Sequence, residues 1–145
     1  MKRIALLSSL LLSVSLMTTG CAVNRATATL DPSSDLGSLR TLHVAKLERD
    51  GRGIDVLIAD KLRSRGLTVS TGPGKPAGAV DAVVTYADKW MWDITMYMIE
   101  LTINVRDPTN DYPLATGNSY HTSLTRKSPT EMVDEVIENI FKQRK

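Results

Sequence analysis

Judged by the spacing of its apolar positions, the chain falls into an apolar head, a polar stretch without period, and a succession of strand-like and helix-like segments. Ile4 to Met17 is apolar apart from serines, whereas 22–35 is small, polar and aperiodic, with a turn-rich cluster at Asp31-Pro32-Ser33-Ser34. From Leu39 the register changes, and Thr41, Leu42, His43 and Val44 suit a first strand that ends near Leu47. Ile54, Leu57, Ile58 and Leu62 recur at helical spacing, with Asp55, Asp60, Lys61, Arg63 and Arg65 on the other side. Gly66 is placed to stop that helix in the left-handed conformation, and Leu67 just beyond it to fold back onto the last turn. Leu67 to Ser70 suits a short second strand. The run 71–78, with three glycines and two prolines, is then a connecting loop. Pro76 follows Gly74-Lys75 where a phosphate-binding loop needs Ser or Thr, so the glycines carry no nucleotide signal.

Asp81 to Arg106 is the longest alternating stretch. Val84, Tyr86, Trp90 and Trp92 fall on one parity, and beyond a turn near Asp93 to Thr95 the residues Tyr97, Ile99, Leu101, Ile103 and Val105 fall on another. Two long adjacent segments of this kind predict an antiparallel hairpin with one buried face. After a turn at 107–111, Leu114 to Leu124 supplies another strand, in which Gly117 marks a bulge or a close approach. Ser128-Pro129-Thr130-Glu131 opens a helix with a capping box, and Met132, Val133, Val136, Ile137, Ile140 and Phe141 form its apolar stripe. The expected fold is therefore α+β and two-layered. It has a largely antiparallel sheet of about five strands in the order β-α-β-β-β-β-α, with two helices packed on one face.

The head changes the picture. Lys2 and Arg3, the apolar run and the exit Thr18-Thr19-Gly20 make a secretory signal, too short for a membrane span of about 20 apolar residues. It leads into Cys21, the single cysteine of the chain, and the pattern resembles the bacterial lipoprotein lipobox, with Thr18 where that family usually carries Leu. The resemblance implies that Cys21 is diacylglycerylated, becomes the new N-terminus and is N-acylated. The alternative is an ordinary secreted protein cut near Gly20 with a free thiol. The expected organisation is a signal peptide over 1–20, a lipidated N-terminus and flexible tether over 21–37, and one periplasmic domain over 38–145. The formal net charge of +2 comes from Lys2 and Arg3, so the remainder is neutral and offers no electrostatic case for nucleic acid.

The candidate chemistry is thin. His43 and His121 are the only histidines, both in expected strands, and without a second cysteine no metal-ligand spacing arises. They are expected at the surface or on edge strands, and no metal or cofactor is assigned. Ser119, His121 and Ser123 share a strand face without a glycine elbow, so they are expected to be solvent-facing polar positions. Asp88 and Glu100 lie on the two arms of the hairpin, where a suitable register would bring them together as an acid/base pair, but Lys89 or Arg106 can neutralise them, so a polar groove rim is expected and no residue is assigned catalysis. The aromatic cluster is more informative. Four of the chain's seven aromatic residues, Tyr86, Trp90, Trp92 and Tyr97, lie within twelve positions beside Met91, Met96 and Met98. Both parities of 90–98 carry large apolar groups while only one sheet face points inward, which makes Tyr86, Trp90, Trp92 and Tyr97 candidate partner or ligand contacts; the alternative is that the hairpin end curls over the core and buries both sides.

The order of Cys21, polar tether, strand, helix ending in Arg65-Gly66-Leu67, short strand, Gly/Pro loop and Asp81-Ala82-Val83-Val84 opening a hairpin resembles small Gram-negative envelope lipoproteins. Their domain is similar to the N-terminal domain of the Tol-system translocation protein or to the lipopolysaccharide-assembly lipoprotein. The segment Asp31-Pro32-Ser33 is also similar to the start of a family of envelope lipoproteins. The resemblance implies a non-catalytic accessory or scaffold subunit in contact with an envelope protein. Ala22 after the cysteine implies the outer membrane. A binding module for a small or lipidic ligand, held in a groove lined by the aromatic hairpin, is the alternative.

Overall fold

The computed structural model describes residues 23–142, so the signal segment and Cys21 lie outside the described residues. The chain runs β1 (Asn24–Leu30), β2 (Thr41–Lys46), α1 (Ile54–Ser64), β3 (Thr68–Pro73), β4 (Ala82–Asp93), β5 (Thr95–Arg106), β6 (Pro113–His121) and α2 (Pro129–Lys142), with a 3-10 turn at Ser123–Thr125 before α2. The strands form one sheet in the order β1-β6-β5-β4-β2-β3. The α+β class agrees with the sequence pattern, but the sheet is six-stranded and mixed, because β2 pairs in parallel with both β3 and β4. Parallel neighbours need a crossover between them, and α1 supplies it between β2 and β3.

The additional strand is β1, within the segment expected to be a tether. Asn24 to Leu30 pairs with β6 along its whole length, Asn24 opposite His121 and Leu30 opposite Ala115. The folded part therefore begins well before residue 38. Asp31 anchors the end of β1: its backbone N–H donates to the Leu114 carbonyl at 3.0 Å, and its carboxylate accepts from the Tyr112 hydroxyl at 2.7 Å.

Both helices cover one face of the sheet and touch each other. Leu42 and Val44 from β2, Ile58 and Leu62 from α1, Leu101 and Ile103 from β5, and Val136 and Ile140 from α2 are among the buried side chains of a single core. The opposite face is polar. Thr116 donates to Asn104 at 2.8 Å, and Asn118 donates to Glu100 and Thr102, both at 2.9 Å.

The end signals of the helices are present as read. Gly66 sits at φ 87°, the Gly66 N–H donates to Arg63 and the Leu67 N–H to Leu62, which completes a Schellman motif. At the start of α2 the Glu131 carboxylate accepts from the Ser128 N–H at 2.8 Å, and the Ser128 hydroxyl accepts from the Glu131 N–H at 3.3 Å. Gly117 marks a close approach: a Cβ there would stand 2.7 Å from Val136 and 2.9 Å from Ile140, so α2 lies almost directly on the β6 backbone.

Candidate functional site

The hairpin of β4 and β5 carries the candidate site, and its two halves differ. In the half nearer the strand ends, Ala82, Val84 and Tyr86 face the helices together with Leu101, Ile103 and Val105. The pairing then shifts between Lys89 and Trp90, so that Lys89 opposes Glu100 but Trp90 opposes Met98. The extra residue is Ile99, so the faces swap in β5 beyond it while β4 keeps its alternation. Met98 enters the core in place of Ile99, and the expected alternation through Tyr97 is broken.

Two of the four aromatic candidates are structural. Tyr86 is buried, and its hydroxyl donates to Asp50 at 2.7 Å while accepting the Leu47 N–H at 3.2 Å. Burial and the neighbouring carboxylate both push the Tyr86 hydroxyl pKa upward. Burial alone would raise the Asp50 pKa, but hydrogen bonds from Tyr86 and from the Asp55, Arg52 and Gly53 N–H groups hold it below the usual carboxylate range. Tyr97 is buried as well, under the Arg126 guanidinium at 4.3 Å from its ring centre. Trp90 is half-buried against the core, with Arg52 at 4.1 Å over its ring and its indole N–H donated to Asp88.

Trp92 alone of the four is free, at 69% exposure, and it has company. Ile94 is 87% exposed at the turn, and Met91 and Met96 are exposed on the flanking strands. Leu124, in the 3-10 turn, is 80% exposed. This turn is bolted to the hairpin. The Ser123 hydroxyl donates to the Asp93 carboxylate, and Arg126 donates to the Asp93 carbonyl at 2.9 Å and to the Thr95 hydroxyl at 2.8 Å. The same turn holds the start of the described chain, because the Thr122 N–H donates to the Val23 carbonyl at 3.2 Å and the Thr125 hydroxyl does so at 3.3 Å. Nothing in the alternation of the chain assigned Ser123, Leu124 and Arg126 to this end. Ser123 and Leu124 were expected at the end of the last strand, but β6 stops at His121 and they form the 3-10 turn instead.

The remaining candidates are placed as follows. Glu100 opposes Lys89 and bonds it at 2.6 Å on the polar face, while Asp88, one residue away from Lys89, points to the opposite face, so the two carboxylates form no acid/base pair and Lys89 neutralises Glu100. Ser119 and His121 are buried rather than solvent-facing. They donate to the Glu135 carboxylate on α2 at 2.6 Å and 2.8 Å, and Lys127 bonds its other oxygen at 2.5 Å. Burial by itself raises the Glu135 pKa; the bonds from Lys127, Ser119 and His121 outweigh it and hold the group at about 2. Serine and histidine both address the carboxylate and not each other, an arrangement that joins β6 to α2 and activates no nucleophile. His43 is buried on β2, an interior strand, with Nδ1 at 2.9 Å from the Ser70 hydroxyl. Among the described residues no three His, Cys, Asp or Glu side chains gather closely enough to hold a metal ion.

Two concavities flank the hairpin. A cleft of about 500 Å³ beside Trp90 is lined by Arg49, Arg52, Asp88, Lys89, Met91 and Ile99, and is thus largely charged, with Arg52 already on the ring. A larger groove of about 630 Å³ lies at the opposite end of β4, between the Gly/Pro loop and the β5–β6 turn, where Pro76, Ala79, Val80, Val83 and Pro108 contribute its apolar lining.

The chain matches no family model, and no curated protein matches it. Its fold does have solved counterparts. PelC from Paraburkholderia phytofirmans, a dodecamer in its crystals, superposes with a TM-score of 0.60 at 14% identity over 85% of this chain and 100% of its own. A single-residue variant of that protein gives 0.61 at 15% identity over 81% and 97%. A PDZ domain protein from Parabacteroides distasonis gives 0.52 at 11% identity, covering 90% of this chain and 38% of its own. At these identities the likeness is one of fold.

Proposed function

We propose that this chain is an outer-membrane-anchored periplasmic lipoprotein that serves as a non-catalytic accessory or scaffold subunit through protein contacts. The observation that carries this reading is the polarity of the fold. The described chain enters at Val23, two residues after Cys21, at the end of the sheet where the exposed apolar hairpin tip lies. The part-apolar groove between the Gly/Pro loop and the β5–β6 turn lies at the other end of β4, about 30 Å away at ~3.3 Å per residue. An anchor at Cys21 thus leaves the groove directed away from the membrane, where an extended segment of a partner would meet it. The assembly of PelC as a dodecamer supports a role exercised through association, including association of copies.

A photoreactive residue at Ala79 or Thr109, introduced into the full chain in intact cells, tests this. The same envelope protein, or the chain itself, should be captured from both groove positions and not from Asp60 on the exposed side of α1. Capture from Asp60 equal to that from the groove would remove the groove from the account.

A further inference from the structure

We propose that the hairpin tip is a lipid-docking surface: Met91, Trp92, Ile94 and Met96, joined by Leu124, seat in the phospholipid surface beside the acylated N-terminus. This rests on the reading of Cys21 as a lipid anchor and adds to it that the domain lies directly against the bilayer, held by side chains as well as by acyl chains.

The first ground is composition. Six of the eight large apolar side chains left exposed among the described residues, Val23, Met91, Trp92, Ile94, Met96 and Leu124, belong to this one end, and the other two are Val56 and Tyr112. An apolar cluster of this kind needs an occupant. The second ground is chain connectivity, which names the occupant. Two peptide units separate Cys21 from Val23, a span of at most about 7 Å. The Val23 carbonyl is held by Thr122 and Thr125 on either side of Leu124. Acyl chains on Cys21 therefore leave the protein where the apolar side chains do.

The third ground is rigidity. Ser123 and Arg126 fix the 3-10 turn to Asp93 and Thr95, so tip, turn and chain entry are one unit and not independently moving loops. At the tip itself Arg126 pairs with Asp93 at 3.3 Å, which lowers the cost of bringing these two charges to the headgroup layer. Finally, Ile94 stands at φ 61°, a conformation that a β-branched residue takes only under strain, and it points an 87% exposed side chain outward. A glycine or asparagine would make the same turn without strain. The tryptophan and flanking methionines suit the boundary between headgroups and acyl chains, where an indole is apolar on its faces and polar at its N–H.

The test uses the full acylated chain in vesicles of phosphatidylethanolamine and phosphatidylglycerol whose acyl chains carry bromine, a contact quencher of tryptophan emission. The chain has two tryptophans, Trp90 and Trp92. The wild type should float with the vesicles and lose part of its emission relative to unbrominated vesicles, and Trp92→Phe, a substitution at an exposed position, should abolish that loss. A chain that floats with the vesicles but shows no bromine quenching overturns the docking proposal while leaving the anchor in place. If Trp92 is shielded from aqueous iodide yet untouched by brominated lipid, the occupant is a second copy of the chain and the proposal falls. A chain that does not float at all overturns the anchor and the docking together.

Discussion

At the scale of single residues, Gly117 and Glu135 hold α2 against β6. Gly117 permits the contact between β6 and α2, since any Cβ would sit within 3 Å of Val136 and Ile140. Gly117→Ala should destabilise the chain by about 1–3 kcal/mol through overpacking, measurable as a shift in denaturation midpoint at unchanged slope. Glu135 makes the other link, gathering Ser119, His121 and Lys127 around one carboxylate. Its pKa is depressed to about 2 from 4.5, so it binds fewer protons folded than unfolded near pH 4. The stability it contributes, on the order of 3 kcal/mol, is therefore present above pH 4.5 and lost as pH falls toward 2. Thermal unfolding followed down that range should show the loss in the wild type and a flatter profile in Glu135→Gln. Equal profiles would mean that the carboxylate is not held as the geometry indicates.

At the scale of elements, β1 separates what periodicity conveys from what it does not. Amide exchange should find Asn24–Leu30 protected by its pairing with β6, where a tether would exchange at the rate of free peptide. The helices and the hairpin were legible because Ile54, Ile58 and Leu62 or Val136, Ile137 and Ile140 repeat at a period that only one element satisfies. The strand β1 was not, because only Ala28 and Leu30 in it pack against the core, too few and, at Ala28, too small to register as apolar alternation. Small residues are what the site requires, since Ala28 faces Gly117 under the closely packed helix.

The bulge after Lys89 was equally hidden. It is one extra residue in β5, Ile99, invisible to the alternation of either strand, and it brings Met98 into the core where Ile99 was expected. The hairpin and its aromatic end were legible in the alternation, while the burial of Tyr86 and Tyr97 depends on Asp50 and Arg126, residues distant in sequence that cover them. At the tip itself, Arg126→Ala removes the bonds to Asp93 and Thr95 and uncovers Tyr97. Exchange at residues 93–95 should accelerate with little change in the core, because those bonds join loops at the edge of the structure.

At the scale of the whole molecule, the sheet acts as a spacer with an apolar end and a grooved end, and the function proposed for it depends on which end meets the membrane. Cys21→Ser should move the protein from the membrane fraction to the soluble periplasmic fraction, because five exposed side chains offer weak reversible binding compared with acyl chains at about 0.8 kcal/mol per buried methylene. Full retention of the variant would instead assign the attachment to the tip or to a partner. The most direct measurement is mass spectrometry of the N-terminal peptide from the protein isolated out of cell envelopes. The account predicts a mature chain that begins at Cys21 and carries a thioether-linked diacylglyceryl group and an N-acyl chain. A chain beginning at Met1, or cut after Gly20 with its thiol free, would contradict it.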